Sequence, residues 1–494
     1  MKKFILLSII GSLAMAVLPA HATITFEKWY GSGDADICED VKQTPDGGYI
    51  LAGYYIYNGK KVEGTDTSVE SSKLEYHTPL LIKTDSLGNL QWASWNNFTG
   101  RMYCSYETVE LMSGGGYLCG SLLDGVASLV RLNSLGDTLW SRKIDTLSGG
   151  FTGMFDMTKV NDNYYTMVAG RQRAVSILCV DSLGDTLWTK AHGDTLIEMY
   201  VSYSISQTMD HGYAITGYHL FIGDTIKGYD LFLMKVDSLG NKEWEKIYGG
   251  SGEERGYCVK QSPDGGYIIG GFTDSFGDSG DIWVLKTDSL GDTVWTRVLG
   301  GDGNDWCYSL CLSSDSCIVI TGTVRQIDNN QLYLMKLNNN GDSLWARLYG
   351  GSLAEVGCCV RQNDDSSFII GGYTYSWGSG KADFYLVKTD SSGLMGVEGN
   401  PEDGLMLIKH SNIKIYPNPL SNKTNIKYTL AEKGQVKLSV YNINGQKIED
   451  IINTRQGPGE YNYSWGVNKY SNGIYFIRLS IGDKHETQKA IIIK

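Results

Sequence analysis

Residues 244–294 read WEKIYGGSGEERGYCVKQSPDGGYIIGGFTDSFGDSGDIWVLKTDSLGDTV, and most of the chain is built from copies of this stretch. It has an alternating start, a Pro-Asp-Gly-Gly turn, a short apolar strand, an aromatic and acidic loop, and a second apolar strand. It closes on Asp288-Ser-Leu-Gly291, and the next copy opens with Trp295. Strands are expected at about 244–248, 257–262, 267–273 and 281–287, the second and third joined by the Pro-Asp-Gly-Gly turn, where glycine supplies positive φ.

The opening tryptophan is the ruler: Trp92, Trp140, Trp188, Trp244, Trp295 and Trp345, at steps of 48, 48, 56, 51 and 50 residues. Each ends a DxxGxxxW-like phrase, such as DSLGDTLW or NNNGDSLW. A seventh copy, Asp390-Ser-Ser-Gly393, lacks the tryptophan. Conversely, Phe26–Gly31 (FEKWYG) matches Trp244–Gly249 but has no strand and turn before it. The two gaps complement each other, so an N-terminal strand completes the last unit. A period near 50 residues suits radial repeats, with four strands per unit. The expectation is an all-β chain whose residues 23–395 form a seven-bladed β-propeller. Six or eight blades are the alternatives, because units near 104–124 and 151–170 are degenerate.

YIIGGFT and its copies YILAGYY and FIIGGYT carry small residues in mid-run, read as the crowded inner strand of a blade. DIWVLK, DLFLMK and DFYLVK are apolar on both faces, as in a sheet packed between two neighbours. The ring hides most strand edges. The DSLGDTLW phrase resembles the aspartate-glycine-tryptophan repeat of quinoprotein-type propellers and, more loosely, the Asp-box of sialidases. In both families the motif is structural, so the resemblance implies a fold and no activity.

Residues 1–22 read as a secretory signal peptide: Lys2-Lys3, the apolar run Phe4–Leu18, and Ala20-His21-Ala22 at the cleavage site. No other run approaches a membrane span, so the mature chain is read as exported, without a transmembrane segment. A net charge of −12 with no basic run excludes nucleic acid as a partner. Gly (61) and Tyr (32) are abundant and Pro (8) scarce, as expected for short strands and tight turns. Of ten cysteines, Cys38, Cys258, Cys307 and Cys359 share one repeat phase and read as small buried core residues. The competing reading is one or two local bridges, Cys307–Cys311 or Cys104–Cys119.

After Asp390 the repeat stops. Residues 396–412 read as a linker, and 413–494 as short alternating strands of a small Ig-like β-sandwich. Tyr416, Pro417, Asn418 and Pro419, then Val440-Tyr-Asn-Ile-Asn-Gly445, Gly459-Glu-Tyr461, Asn472-Gly473-Ile-Tyr475 and a lysine-ending last strand carry a resemblance. This segment resembles the type A C-terminal sorting domain of the type IX secretion system. The resemblance implies the type IX machinery as partner and a secreted or cell-surface location, on the outer face of the outer membrane.

Chemistry is harder to find. No His-Glu-x-x-His, Gly-x-Ser-x-Gly or phosphate-cradling loop occurs. Cys307, Cys311 and Cys317 have poor zinc spacing, and His211 and His219 are a weak ligand pair flanking one strand. No metal, cofactor or catalytic residue is assigned. Asp230, Asp281 and Asp383 share one repeat phase and Lys235, Lys286, Lys336 and Lys388 another; rings of like residues can line a propeller channel, and structural pairing between blades is the favoured account of both. The insertion 58–78 is read as a surface loop.

The candidate binding feature is the loop after the third strand of the unit. It offers Phe272, Asp274, Phe276 and Asp278 in one copy, Tyr373, Tyr375 and Trp377 in another, and Tyr54, Tyr55 and Tyr57 in the first. Aromatics with Asp, Ser and Gly on one rim suit stacking on sugar rings or peptide side chains. The leading expectation is therefore a monomeric, non-catalytic binding or scaffold protein with a glycan or protein ligand. The alternatives are a polysaccharide- or peptide-processing enzyme, favoured by an unsymmetrical acidic or His-containing mouth, and a structural surface or adhesion component.

Overall fold

The structure, a computed structural model, describes residues 24–31, 34–58, 75–95, 104–123, 126–144, 151–171, 174–193, 198–221, 228–277, 280–301, 303–326, 329–378, 381–395, 414–416, 420–430, 433–442, 447–457, 459–481 and 484–493. The expected signal peptide 1–22, the linker 396–412, most of the first-unit insertion, and Asp278, Pro417, Asn418, Pro419 and Gly445 lie outside these residues. So do the side-chain surroundings of Tyr57 and Tyr416.

Every regular element among the described residues is a strand. The repeats form seven four-stranded antiparallel sheets, the blades of a propeller. The quoted unit supplies blade five: Glu254–Gln261, Tyr267–Thr273, Asp281–Thr287 and Thr293–Leu299. Its first five residues belong elsewhere, because Lys242–Tyr248 is the outermost strand of blade four. Blade seven pairs Glu355–Gln362, Phe368–Thr374 and Asp383–Thr389 with Phe26–Tyr30, so the N-terminal strand closes the ring.

One expectation is corrected. YIIGGFT (Tyr267–Thr273) is the second strand of its blade, not the innermost. The channel wall is made by the strand before it, Glu254–Gln261, and its six counterparts. The small residues answer a close approach all the same: a Cβ on Gly271 would lie 1.9 Å from the Arg255 carbonyl oxygen. The second and third strands of blade five are buried along their whole length, as sheets between two neighbours must be.

The tryptophan ruler proves to be the seam between blades. Each indole lies over the turn glycine of the next blade: Trp92 on Gly136, Trp140 on Gly184, Trp188 on Gly240, Trp244 on Gly291, Trp295 on Gly341 and Trp345 on Gly393. Those glycines have φ between 73° and 83°, and an added Cβ would fall 2.5–2.8 Å from an indole carbon. The Asp or Asn of the phrase accepts backbone N–H bonds from residues two and four further on, as Asp288 does from Leu290 and Asp292.

The repeated lysines are also resolved, and not as pairs between blades. Each reaches the Asp of its own blade's first turn: Lys235–Asp210 at 2.9 Å, Lys286–Asp264 at 2.6 Å, Lys336–Asp315 at 2.7 Å and Lys388–Asp365 at 3.1 Å. Blade one adds Lys83–Asp46 at 2.8 Å. In three of these turns His211, Ser316 and Ser366 take the positive φ that glycine holds in the others. None of the ten cysteines is bridged, and eight are buried.

The C-terminal domain is a sandwich of a three-stranded and a four-stranded sheet around one apolar core that includes Ile426, Tyr428, Leu438, Trp465 and Ile477.

Candidate binding site at the channel mouth

The seven innermost strands share a β-bulge at one level. Its unpaired residues are Glu39, Glu107, Phe155, Tyr203, Tyr257, Tyr308 and Cys358 in blades one to seven. A bulge turns its extra residue out of the ladder. Six of the seven side chains line the channel, and that of Phe155 is outside the described residues.

The channel has two connected levels, each with a cavity of about 340 Å³. The outer level, the mouth, is walled by Glu39, Glu107, Tyr203, Tyr257, Tyr308 and Cys358. Tyr54 and Tyr373, on the second strands of blades one and seven, join them, with Ile37 and Val356. Tyr203, Tyr257 and Tyr308 form a ladder with ring centroids 5.0 and 5.2 Å apart. Tyr54 stacks on His77 at 4.8 Å, and Tyr373 meets exposed Tyr375 edge-on at 6.0 Å. Burial, then the neighbouring Glu107 and Asp40, pushes the Glu39 carboxyl up to about 8. Burial raises Glu107 as well, with a partly offsetting hydrogen bond from the Ser105 hydroxyl.

The inner level is a network of charge. Asp40 accepts hydrogen bonds from the Val109 backbone in the next blade (3.1 Å), Thr108 Oγ1 (3.3 Å) and Arg361 Nη2 (2.9 Å). Asp156 accepts from Ile205 N (3.0 Å) and Ser204 Oγ (2.9 Å) in the same way. Lys42 pairs with Glu110 at 2.5 Å. Lys260 also faces this level, its pKa lowered by burial and then by Arg361. These staples hold the inner strands together around the ring.

The sequence-derived rim residues divide. Tyr54 and Tyr373 line the mouth, with Tyr375 against Tyr373 and Tyr55 half-buried beside Tyr54. Phe272 is only 8% exposed, because its ring stacks on Trp306 of the next blade at 5.7 Å. Asp274 clasps the loop by accepting from the Glu253 backbone N–H. Phe276 covers Trp283. Trp377 stacks on Trp29 of the closing strand at 5.6 Å and packs on Tyr385. The sequence reading missed Glu39, Glu107, Tyr203, Tyr257 and Tyr308. Their signal was present: they occupy one repeat phase, and Glu39, Tyr257 and Tyr308 adjoin the conspicuous cysteines. His211 and His219 lie at opposite ends of one blade-four strand, Tyr213–Phe221. Among the described residues no group of three or more His, Cys, Asp or Glu is placed to hold a metal ion.

In the sorting domain Tyr475 packs on the sandwich core and Gly473 begins its strand in the positive-φ region. Residues 414–494 match the family described as secretion system C-terminal sorting domain. The chain thus combines a β-propeller with a type IX secretion sorting domain, which implies export by that system and secretion or cell-surface attachment. No helix among the described residues is long and apolar enough to cross a membrane.

No curated protein matches the chain. Among solved structures it is similar to PorZ, an essential bacterial surface component of the type IX secretion system of Porphyromonas gingivalis. That likeness has 12% identity and a TM-score of 0.43, covering 94% of this chain and 60% of that one. It is similar also to puromycin hydrolase (11%, 0.46, 82% and 61%) and to Sqt1 from Chaetomium thermophilum (10%, 0.44, 76% and 87%). The propeller assignment rests on the seven sheets themselves.

Proposed function

We propose that the chain is an exported binding module that works on the outer face of the outer membrane and takes a glycan or protein ligand at the mouth of the propeller channel. The observation that carries this reading is a break in the repeat. The seam (Trp or Phe on Gly) is copied in all seven blades and the turn pair (Lys on Asp) in five, as structural duties require. The bulge ring is not copied: it runs Glu, Glu, Phe, Tyr, Tyr, Tyr, Cys at one geometric level. Phenols in a cavity supply flat, amphipathic contact area with little rotamer entropy to lose.

The test is glycan- and peptide-array binding by the purified chain and its Tyr373→Ala and Trp377→Ala variants. Binding lost in Tyr373→Ala and kept in Trp377→Ala supports the mouth. A blank array, or loss in Trp377→Ala alone, removes the reading.

A second reading has its own observation. The mouth is unsymmetrical and acidic, and Glu39 and Glu107 sit in one cavity with both carboxyls raised. A carboxyl pair is what glycoside hydrolysis uses, one protonated as acid and one ionised. Turnover of a glycan that binds the array, abolished in Glu107→Gln and Glu39→Gln, would replace the binding reading with this one.

A further inference from the structure

Resting on the mouth as the recognition site, we infer that it accepts a cationic side chain, lysine ammonium or arginine guanidinium, presented by an extended protein segment and seated between Glu39 and Glu107 against the tyrosine wall.

Ten residues line the mouth: two glutamates, five tyrosines, Ile37, Val356 and Cys358. None carries positive charge. The cations lining the channel, Lys42, Lys159, Lys260 and Arg361, stand at the inner level, with Arg361 committed to Asp40 and Lys42 to Glu110. The Arg255 guanidinium, which donates to the Tyr257 hydroxyl from behind the tyrosine wall, is committed to Glu253. Among the described residues the Glu39 carboxyl has no ion-pair or hydrogen-bond partner, and Glu107 has only the Ser105 hydroxyl. Two carboxyls in one enclosed space, with no cation to offset them, favour a ligand that brings one.

The wall points the same way. The faces of tyrosine rings are electron-rich and attract ammonium and guanidinium groups within about 6 Å. The fold already uses this chemistry: the Arg255 guanidinium lies 5.5 Å from the Tyr218 centroid and 5.0 Å from that of Tyr229. The carboxyls come from blades one and two and the phenol ladder from blades four to six, so a cation entering the cavity is met by charge on one side and rings on the other. An anion would meet two carboxyls and no cation. A neutral sugar would stack on the rings and leave the carboxyls unpaired. Exposed Tyr375, outside Tyr373, offers contact to the peptide on either side of the inserted residue.

The probes are four peptides, GGXGG with blocked ends, where X is lysine, arginine, ε-N-acetyl-lysine or alanine. Binding to the full chain is read by NMR or calorimetry. The lysine and arginine peptides are expected to bind about ten-fold or more tighter than the acetylated and alanine peptides. Glu39→Gln and Glu107→Gln should each weaken the lysine peptide by about ten-fold while leaving the melting temperature unlowered. Equal binding of the lysine and acetyl-lysine peptides would overturn the inference without any variant. Neutral peptides or glycans bound at the mouth, with loss in Tyr373→Ala but not in Glu39→Gln, would overturn the cation and leave the mouth as the site. No binding in any arm, arrays included, would remove both.

Discussion

Phe26 lies against Gly88: an added Cβ on that glycine would fall 2.6 Å from the Phe26 ring. Phe26 thereby takes, in the closing strand of blade seven, the place that tryptophan takes in blades one to six. Tyr30, in the same strand, donates a hydrogen bond to the Gly88 carbonyl at 2.6 Å, as Tyr248 does to Gly291. The seventh seam is built like the other six, from residues 62 positions apart where the others lie 44 to 52 apart.

Gly88→Ala should therefore destabilise the ring by about 2–4 kcal/mol, the sum of a positive-φ penalty and an overpacked contact. Gly291→Ala should cost a similar amount at Trp244. Urea denaturation of both variants checks this, and a loss below 1 kcal/mol in both would mean that the seams yield easily.

The turn pairs make a contrast. Partial burial alone would raise Asp264, but hydrogen bonds from Lys286, Ser262 and the Gly266 backbone hold it down to about 2. Asp46, Asp210 and Asp315 are held at about the same value. Carboxyls held low stabilise above their unfolded pKa near 4, and that contribution is lost as pH falls toward 2. Each is small, because the aspartates are more than half exposed to water. Asp264→Ala leaves the buried Lys286 ammonium unpaired and should cost about 1–3 kcal/mol. Lys286→Met, apolar and of similar length, should be nearly neutral. The reverse order in thermal melts would contradict this account.

Glu39 works in the opposite direction. Its raised pKa means that the folded chain holds a proton the unfolded chain has released, so stability should fall as pH rises from about 4.5 to 8. The groups facing it are Glu107, Asp40, Cys358 and the phenols of Tyr54, Tyr308 and Tyr373. Glu27, raised to about 7 by burial and then Glu355, contributes to the same slope. Glu39→Gln should flatten part of the decline of melting temperature between pH 5 and 8. An unchanged slope would place the Glu39 carboxyl in a wetter environment.

Trp377→Ala should act on stability, not on a ligand. Its indole stacks on Trp29 and packs against Tyr385, joining the loop to the closing strand. A loss of about 2–4 kcal/mol is expected for a large aromatic with that much contact. A ligand affinity that drops while the melting temperature holds would return Trp377 to the recognition surface.

The strands of the quoted unit were legible to within three residues at each end, because alternation, Asp-Gly turns and the DSLG phrase are local signals. The ring closure was legible too, from two incomplete copies at the ends of the repeat array. The candidate site was legible only in part. Tyr54, Tyr373 and Tyr375 stood out as aromatics in loops, but so did Phe272 and Trp377, which the fold uses as packing. Aromatic composition is the same for a platform and for a plug.

By itself the sequence determined the repeat, the four-stranded unit, the turn chemistry and the C-terminal sorting signature, since each is written in residues close together along the chain. Only the tertiary structure decided which strand faces the channel, that repeated lysines meet turn aspartates, and that Glu39 and Glu107 share one cavity. The two glutamates are 68 residues apart in sequence. They meet because each stands at the bulge of an innermost strand, and a bulge is a property of pairing between strands that no single stretch of sequence displays.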